Sequence, residues 1–239
     1  MDVPAAHRTR LVVMGMIHGE HRTSARYSTA VIADAIERIG PDVVLCEIPP
    51  DRLVIAQAEF ARTGTITEPR VRVFPEYVDV LFPLSRARTF EIVPCAAWSK
   101  PMSDDRAAKL EAWRTTRPAE SAEVEAADKR SEARLAAESA KVGLTPDDPL
   151  FIHTDLYDAI TKEGLEPYDR LFNEDLGAGG WTNINVAHYA LIEKALDAQR
   201  DTGRTVLIMF GAGHKTWFMD HLRQRTDVEL IDARQYFAR

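Results

Sequence analysis

The chain predicts an α/β fold, a mainly parallel sheet flanked by helices with a helical insertion between the N- and C-terminal parts of the sheet. Three observations carry that prediction. Leu11–Ile17 and Asp42–Ile48 are continuous apolar runs of strand length on either side of an amphipathic segment, the pattern of strands covered on both faces. Thr205–Phe210 (TVLIMF) repeats the buried-strand pattern near the other end of the chain. Between them, from Asp104 to Lys141, the composition shifts to Ala, Glu, Lys and Arg, which favours helix.

In order along the chain, Leu11–Ile17 is the first strand, and a polar loop follows from His18 to Ser24. Val31, Ile32, Ala35, Ile36 and Ile39 stand at helical spacing, and Gly40-Pro41 ends that helix. Asp42–Ile48 is the second strand, closed by Pro49-Pro50. Strand, helix and strand at this spacing form a βαβ unit, whose crossover is right-handed in nearly all proteins. Arg52–Arg62 and Tyr77–Arg88 read as helices, and Phe90–Ala96 as a third strand. Ala119–Val142 carries few large apolar residues and many charges of both signs, and reads as a long solvated helix. Leu150–Thr161 and Val186–Ala198 are further helices, and Val228–Ile231 is the last strand. The whole, residues 1–239, reads as one domain, with residues 100–180 as its mainly helical insertion.

Composition narrows the function. Of the 239 residues 45% are apolar and 28% charged, which excludes a disordered or collagen-like chain. Thirty Lys and Arg against 37 Asp and Glu give a formal net charge of -7, so no global attraction draws nucleic acid or anionic lipid. Cys46 and Cys95, both in apolar runs, read as reduced core thiols. Met1–Arg10 is short, polar and interrupted by Pro4; with no run of about 20 apolar residues anywhere, a cytoplasmic location is expected, with no membrane partner.

Polar residues at three strand ends are the informative feature. His18 follows the first strand in Gly15-Met16-Ile17-His18, Glu47 ends the second, and His214 follows the Thr205–Phe210 strand in Gly211-Ala212-Gly213-His214. The carboxyl ends of parallel strands share one edge of a sheet, where ligands bind, and neighbouring strands lie about 4.8 Å apart. Two imidazoles and a carboxylate meeting there suit a divalent ion such as zinc, with coordination positions left for water and substrate. Glu20, in His18-Gly19-Glu20-His21, is the candidate general base. His21 is either a further ligand or a residue that orients one. Arg52 either clamps a substrate carboxylate or phosphate, or neutralises Glu47.

These residues resemble the TraB/Tiki superfamily, a grouping that includes relatives of the erythromycin esterases and the ChaN-type haem-binding proteins. The resemblance lies in Gly15–His18, in Pro41–Glu47 with Arg52, and in Val206–His214, covering about the first fifty and last sixty residues. It implies manganese- or cobalt-dependent peptidase chemistry, with His18, Glu47 and His214 at the metal and catalytic positions. An Arg-Asn pair frequent in the family before the second motif corresponds to Thr182-Asn183, with threonine in place of arginine. Tiki relatives are exported or membrane-tethered and this chain shows no such segment, so their substrates do not carry over.

The expected function is therefore a metal-dependent hydrolase acting on the amide or ester bond of a peptide or small molecule. Asn183 or Arg52 would stabilise the oxyanion, and a homo-oligomer is compatible with the sequence. The alternative is a non-catalytic protein holding haem or a small molecule in the same histidine pocket. Iron(II) oxygenase chemistry also suits two histidines and a carboxylate, but such triads normally sit in β-barrels. Gly211-Ala212-Gly213 imitates a dinucleotide fingerprint, yet Thr216 stands at its third glycine. His214-Lys215-Thr216 imitates a phosphate loop with His214 in the place of a required glycine. No Gly-x-Ser-x-Gly is present. Gly177–Trp181 reads as a flexible loop able to close as a lid, and Trp181, Trp217 and Phe218 as packing residues, with substrate stacking the alternative for Trp181. His7, His153, His188 and His221 read as structural or surface residues.

Overall fold

The computed structural model describes residues 8–238; His7 and most of the Met1–Arg10 segment lie outside the described residues. Among the described residues five strands form one parallel sheet: β1 (Thr9–Met16), β2 (Val43–Cys46), β3 (Glu91–Pro94), β4 (Thr205–Gly211) and β5 (Val228–Ile231). Their order is β3-β2-β4-β1-β5, so the expected α/β class is the observed one. β4 lies between β2 and β1, with Met16 in register with Gly211 and Cys46 with Met209. The three strand ends singled out from the sequence are therefore neighbours on one edge.

Both sheet faces are covered, which explains the continuous apolar runs. Val12, Met14, Val44, Cys46, Leu207 and Met209 pack on one side with α1 (Thr29–Ile39) and α2 (Pro50–Thr63). Leu11, Val13, Val43, Leu45, Val206 and Ile208 pack on the other with α8 (Trp181–Asp197) and α9 (Ala212–Leu222). Removing one such side chain to alanine costs about 2–5 kcal/mol. α1 begins where Ser28 Oγ accepts the Val31 N–H and ends at Gly40, whose φ of 57° is left-handed. Cys46 and Cys95 are free and buried, and burial pushes the Cys46 thiol up to about 12.

The stretch Tyr77–Arg88 departs from a plain helix. Glu76–Leu81 forms a π-helical turn, with the Phe82 N–H bonded five residues back to Tyr77 O, and α3 (Phe82–Ala87) follows. Such wide turns recur at functional sites.

The insertion comprises α4 (Lys100–Thr116), α5 (Pro118–Lys141), α6 (Pro149–Ile152) and α7 (Asp155–Leu176). It corrects three expectations. The helix expected over Leu150–Thr161 breaks at His153, because Thr154 caps a new helix through the Tyr157 N–H, and α7 then continues through Pro167 to Leu176. α5 is not merely solvated: Ala127 and Ser139 are buried, and it lies so close to α7 that a Cβ on Gly164 would stand 2.5 Å from Ser131 Oγ. Gly177–Trp181 is not an open loop. Gly177–Gly179 forms a 3-10 turn, and a Cβ on Gly180 would fall 2.3 Å from Asn173 O. Among the described residues, no helix is long and apolar enough to cross a membrane.

Candidate active site

His18 begins a 3-10 turn directly after β1 with a left-handed φ of 50°. A non-glycine residue in that conformation is strained, as residues at functional sites often are. The turn is fixed by His21, whose Nε2 accepts the Ile17 N–H at 3.0 Å and whose Nδ1 donates to Tyr27 O at 2.7 Å. Both ring nitrogens of His21 are thus used by the backbone. Of the two roles expected for it, the geometry leaves the orienting one and removes the ligand one.

His18 Nδ1 donates to Glu76 Oε1 at 2.7 Å, and its Nε2 faces Glu47 Oε2 at 3.8 Å. His214, in the first turn of α9, faces Glu47 Oε1 with Nε2 at 3.7 Å, while its Nδ1 meets Asn185 Oδ1 at 2.7 Å. The tautomer of His214 follows from one carbonyl. Asn185 Nδ2 donates to Trp181 O at 2.7 Å, a carbonyl only accepts, and so the amide oxygen must face the ring. Nδ1 therefore carries the proton. Burial, reinforced by the charges of His188, His18 and Arg106, holds the His214 imidazole well below its ordinary pKa. It is neutral, with a bare lone pair at Nε2.

Glu47 is itself buried. Its Oε2 accepts the Gly211 N–H at 2.8 Å, and its own N–H donates to Tyr77 Oη, which in turn donates to Met209 O. Burial pushes its carboxyl up, against the pull of His18 and the Gly211 N–H. His18 behaves oppositely to His214: burial would lower it, but the Glu76 hydrogen bond and the carboxylates of Glu47, Glu76 and Glu20 raise it. The glycine of the second motif makes the crowding possible, because a Cβ on Gly211 would stand 2.7 Å from His18 Nε2.

The donor set therefore fits a divalent ion. Two imidazole Nε2 atoms turn towards one carboxylate at distances too long for a hydrogen bond, and each ring is held from behind through Nδ1, the usual support of a ligand histidine. Among the described residues, as their side chains stand, no group of three or more His, Cys, Asp or Glu is placed to hold a metal ion. The groups stand apart at 3.7–3.8 Å.

Two cavities adjoin this centre. One, of about 660 Å³, is lined by Glu47, Arg52, Phe74, Trp98 and Arg106 among others. The second, of about 470 Å³, is lined by His18, Glu20, Asp128, Tyr157, Trp181 and His214 among others. Glu20 is exposed at the second cavity, close enough for its charge to act on His18. Arg52 lines the first cavity, pairing with Asp51 at 2.9 Å and Glu68 at 3.5 Å. Asn183 is not brought to the centre: its amide donates to Gly177 O at 2.8 Å and closes the glycine turn. The asparagine that reaches His214 is Asn185, two residues on. Thr182 bonds Asp169 through N and Oγ1.

Sequence reasoning missed Glu76, Tyr77 and Asn185, which no spacing links to the histidines. The ring of Trp181 packs by stacking on His214 at 4.9 Å. His188, buried, and His153, half-buried, are supports: His188 Nδ1 accepts the Ala97 N–H, and His153 Nε2 accepts the Gly15 N–H. His221 stacks on Trp217.

Compared with known protein families, curated proteins and solved structures, the chain has no match.

Proposed function

We propose that this protein is a metal-dependent hydrolase of amide or ester bonds, with His18, Glu47 and His214 as the ion's ligands. The observation that carries the reading is the orientation of two supported imidazoles, lone pair of His214 included, onto one buried carboxylate at adjacent parallel strand ends. The motif resemblance to the TraB/Tiki superfamily points the same way. Manganese, cobalt or zinc, when bound, supplies Lewis acidity towards a carbonyl and makes water a nucleophile near neutral pH.

The chain's own residues do the rest. Glu76 and Asn185 hold the two imidazoles in the tautomer that leaves Nε2 free. Tyr77 fixes the backbone of Glu47 against that of β4. Glu20, at the solvent-open side of His18, takes the proton from attacking water. Arg52 holds the carbonyl oxygen or positions the substrate, a role Asn183 cannot share while its amide closes the glycine turn. Haem suits the site less well, because both Nε2 atoms face Glu47 within 4 Å and leave no gap for a porphyrin between them.

The test is metal analysis of protein purified without chelator. One equivalent of metal is expected, falling to background in both His18→Ala and His214→Ala while circular dichroism stays unchanged. Full metal content in the two variants would end the proposal.

A further inference from the structure

The cavity beside Glu47 holds an unusual balance of charge. Arg52, Arg70, Lys100 and Arg106 line it against Glu47, Glu68 and Asp104. Asp104 pairs with Lys100 at 2.5 Å, and Glu68 lies 3.5 Å from Arg52. Arg70 and Arg106 find no carboxylate within pairing distance among the described residues. Arg70 donates to Trp98 O at 3.0 Å, and Arg106 to Tyr168 Oη at 2.9 Å. Each keeps further N–H donors, since a guanidinium has five. Arg52 Nε is buried without a partner, which is costly unless a ligand satisfies it. The charge of Arg106 is felt at His214, so this cavity and the histidine centre share one electrostatic field. Phe74, Val73, Pro69 and Trp98 give the same cavity apolar walls.

We infer that this cavity binds the anionic end of the substrate, a carboxylate or phosphate attached to an apolar body, with Arg70 and Arg106 as its specificity-determining residues. The identity of the ligand as substrate rests on the hydrolase reading; the binding does not. Arg52 is already paired with Asp51 and Glu68, and Lys100 with Asp104, so Arg70 and Arg106 are the cations of this cavity left to meet an anion. Planar guanidiniums accept either group through paired N–H donors. Arg106 comes from α4 and Arg70 from the segment before the π-helical turn, so specificity is supplied by parts of the chain outside the two histidine motifs.

Calorimetric titration of the purified protein tests this with three probes that share a phenyl group: 3-phenylpropanoate, its isosteric amide 3-phenylpropanamide, and phenyl phosphate. The carboxylate should bind at least tenfold tighter than the amide, and the gap should narrow as salt is raised. Arg70→Gln and Arg106→Gln should each erase most of the gap without changing the weak affinity for the amide. Arg106→Lys, which keeps the charge if the Gln variant folds poorly, should keep part of it. Tighter binding of phenyl phosphate than of the carboxylate supports the same pocket and assigns it to a phosphoryl group. Equal affinity for all three probes, or a carboxylate preference that survives both Gln variants, overturns the inference. None of these readings needs turnover, so a protein that lacks metal or hydrolysis still answers the question.

Discussion

The two Gly-x-x-His motifs share a spacing and almost nothing else. Gly15–His18 runs out of β1 into a strained 3-10 turn, and His18 is about one-third exposed (35%) with a carboxylate behind it. Gly211–His214 runs straight from β4 into α9, and His214 is 13% exposed with an amide behind it. The two rings are pulled in opposite directions in pKa. The glycines differ as well: Gly211 makes room for His18 itself, whereas Gly15 makes room for Lys215. One short motif thus serves two environments: at His18 the surrounding carboxylates outweigh burial, and at His214 burial prevails.

The residue that follows each histidine should separate the motifs most. Lys215 is buried in a pair with Asp158, whereas Gly19 has open space around it. Lys215→Met should cost about 3–5 kcal/mol in urea unfolding, because Asp158 is left buried and uncompensated. A cost below about 1 kcal/mol would show that Asp158 finds water or takes up a proton at no penalty.

His153, which braces the first motif through the Gly15 N–H, gives the next effect. Burial, with the charge of Lys215 next, lowers its pKa to about 3. The unfolded chain therefore takes up a proton that the folded one refuses. The stabilisation is complete above about pH 6.5 and is lost as pH falls towards 3, amounting to at most about 5 kcal/mol. His153→Gln should flatten that part of the stability profile; an unchanged slope between pH 6.5 and 4 would contradict the assignment.

The glycines themselves come next. Gly211→Ala drives a methyl onto His18 Nε2 and should cost about 1–3 kcal/mol together with metal binding. Gly15→Ala meets the buried Lys215 side chain at 3.0 Å and the Ala212 backbone at 3.1 Å, so it should cost about 1–3 kcal/mol and leave metal stoichiometry intact. Equal loss of metal in both would erase the distinction drawn here.

Subtler still is an exchange of the partners. Asn185→Asp should raise the His214 pKa and Glu76→Gln should lower that of His18, read as imidazole shifts by NMR in chelator-treated protein. Gly19→Ala should change stability by less than about 0.5 kcal/mol.

Legibility in the sequence followed the range of the interactions. The strands, α1 and the edge position of His18, Glu47 and His214 were readable because buried parallel strands leave apolar runs and their ends share one edge by topology. The strand order β2-β4-β1 made those ends adjacent, and a βαβ pattern alone does not specify that order. Asn183 illustrates the limit. The motif drew attention to it, but a helix turns by about 100° per residue, and two positions further on Asn185 is the side chain that faces His214.

By itself, then, the chain determined its fold class, its buried strands and the three polar residues at their ends, all consequences of local periodicity and burial. Tertiary packing alone decided the rest: the tautomer of His214, the π-helical turn that delivers Glu76 and Tyr77, the burial of one face of α5, and the cavity that gathers Arg52, Arg70 and Arg106. Each depends on groups brought together from separate segments, and hydrogen bonds and charges between such groups leave no periodic trace along a chain.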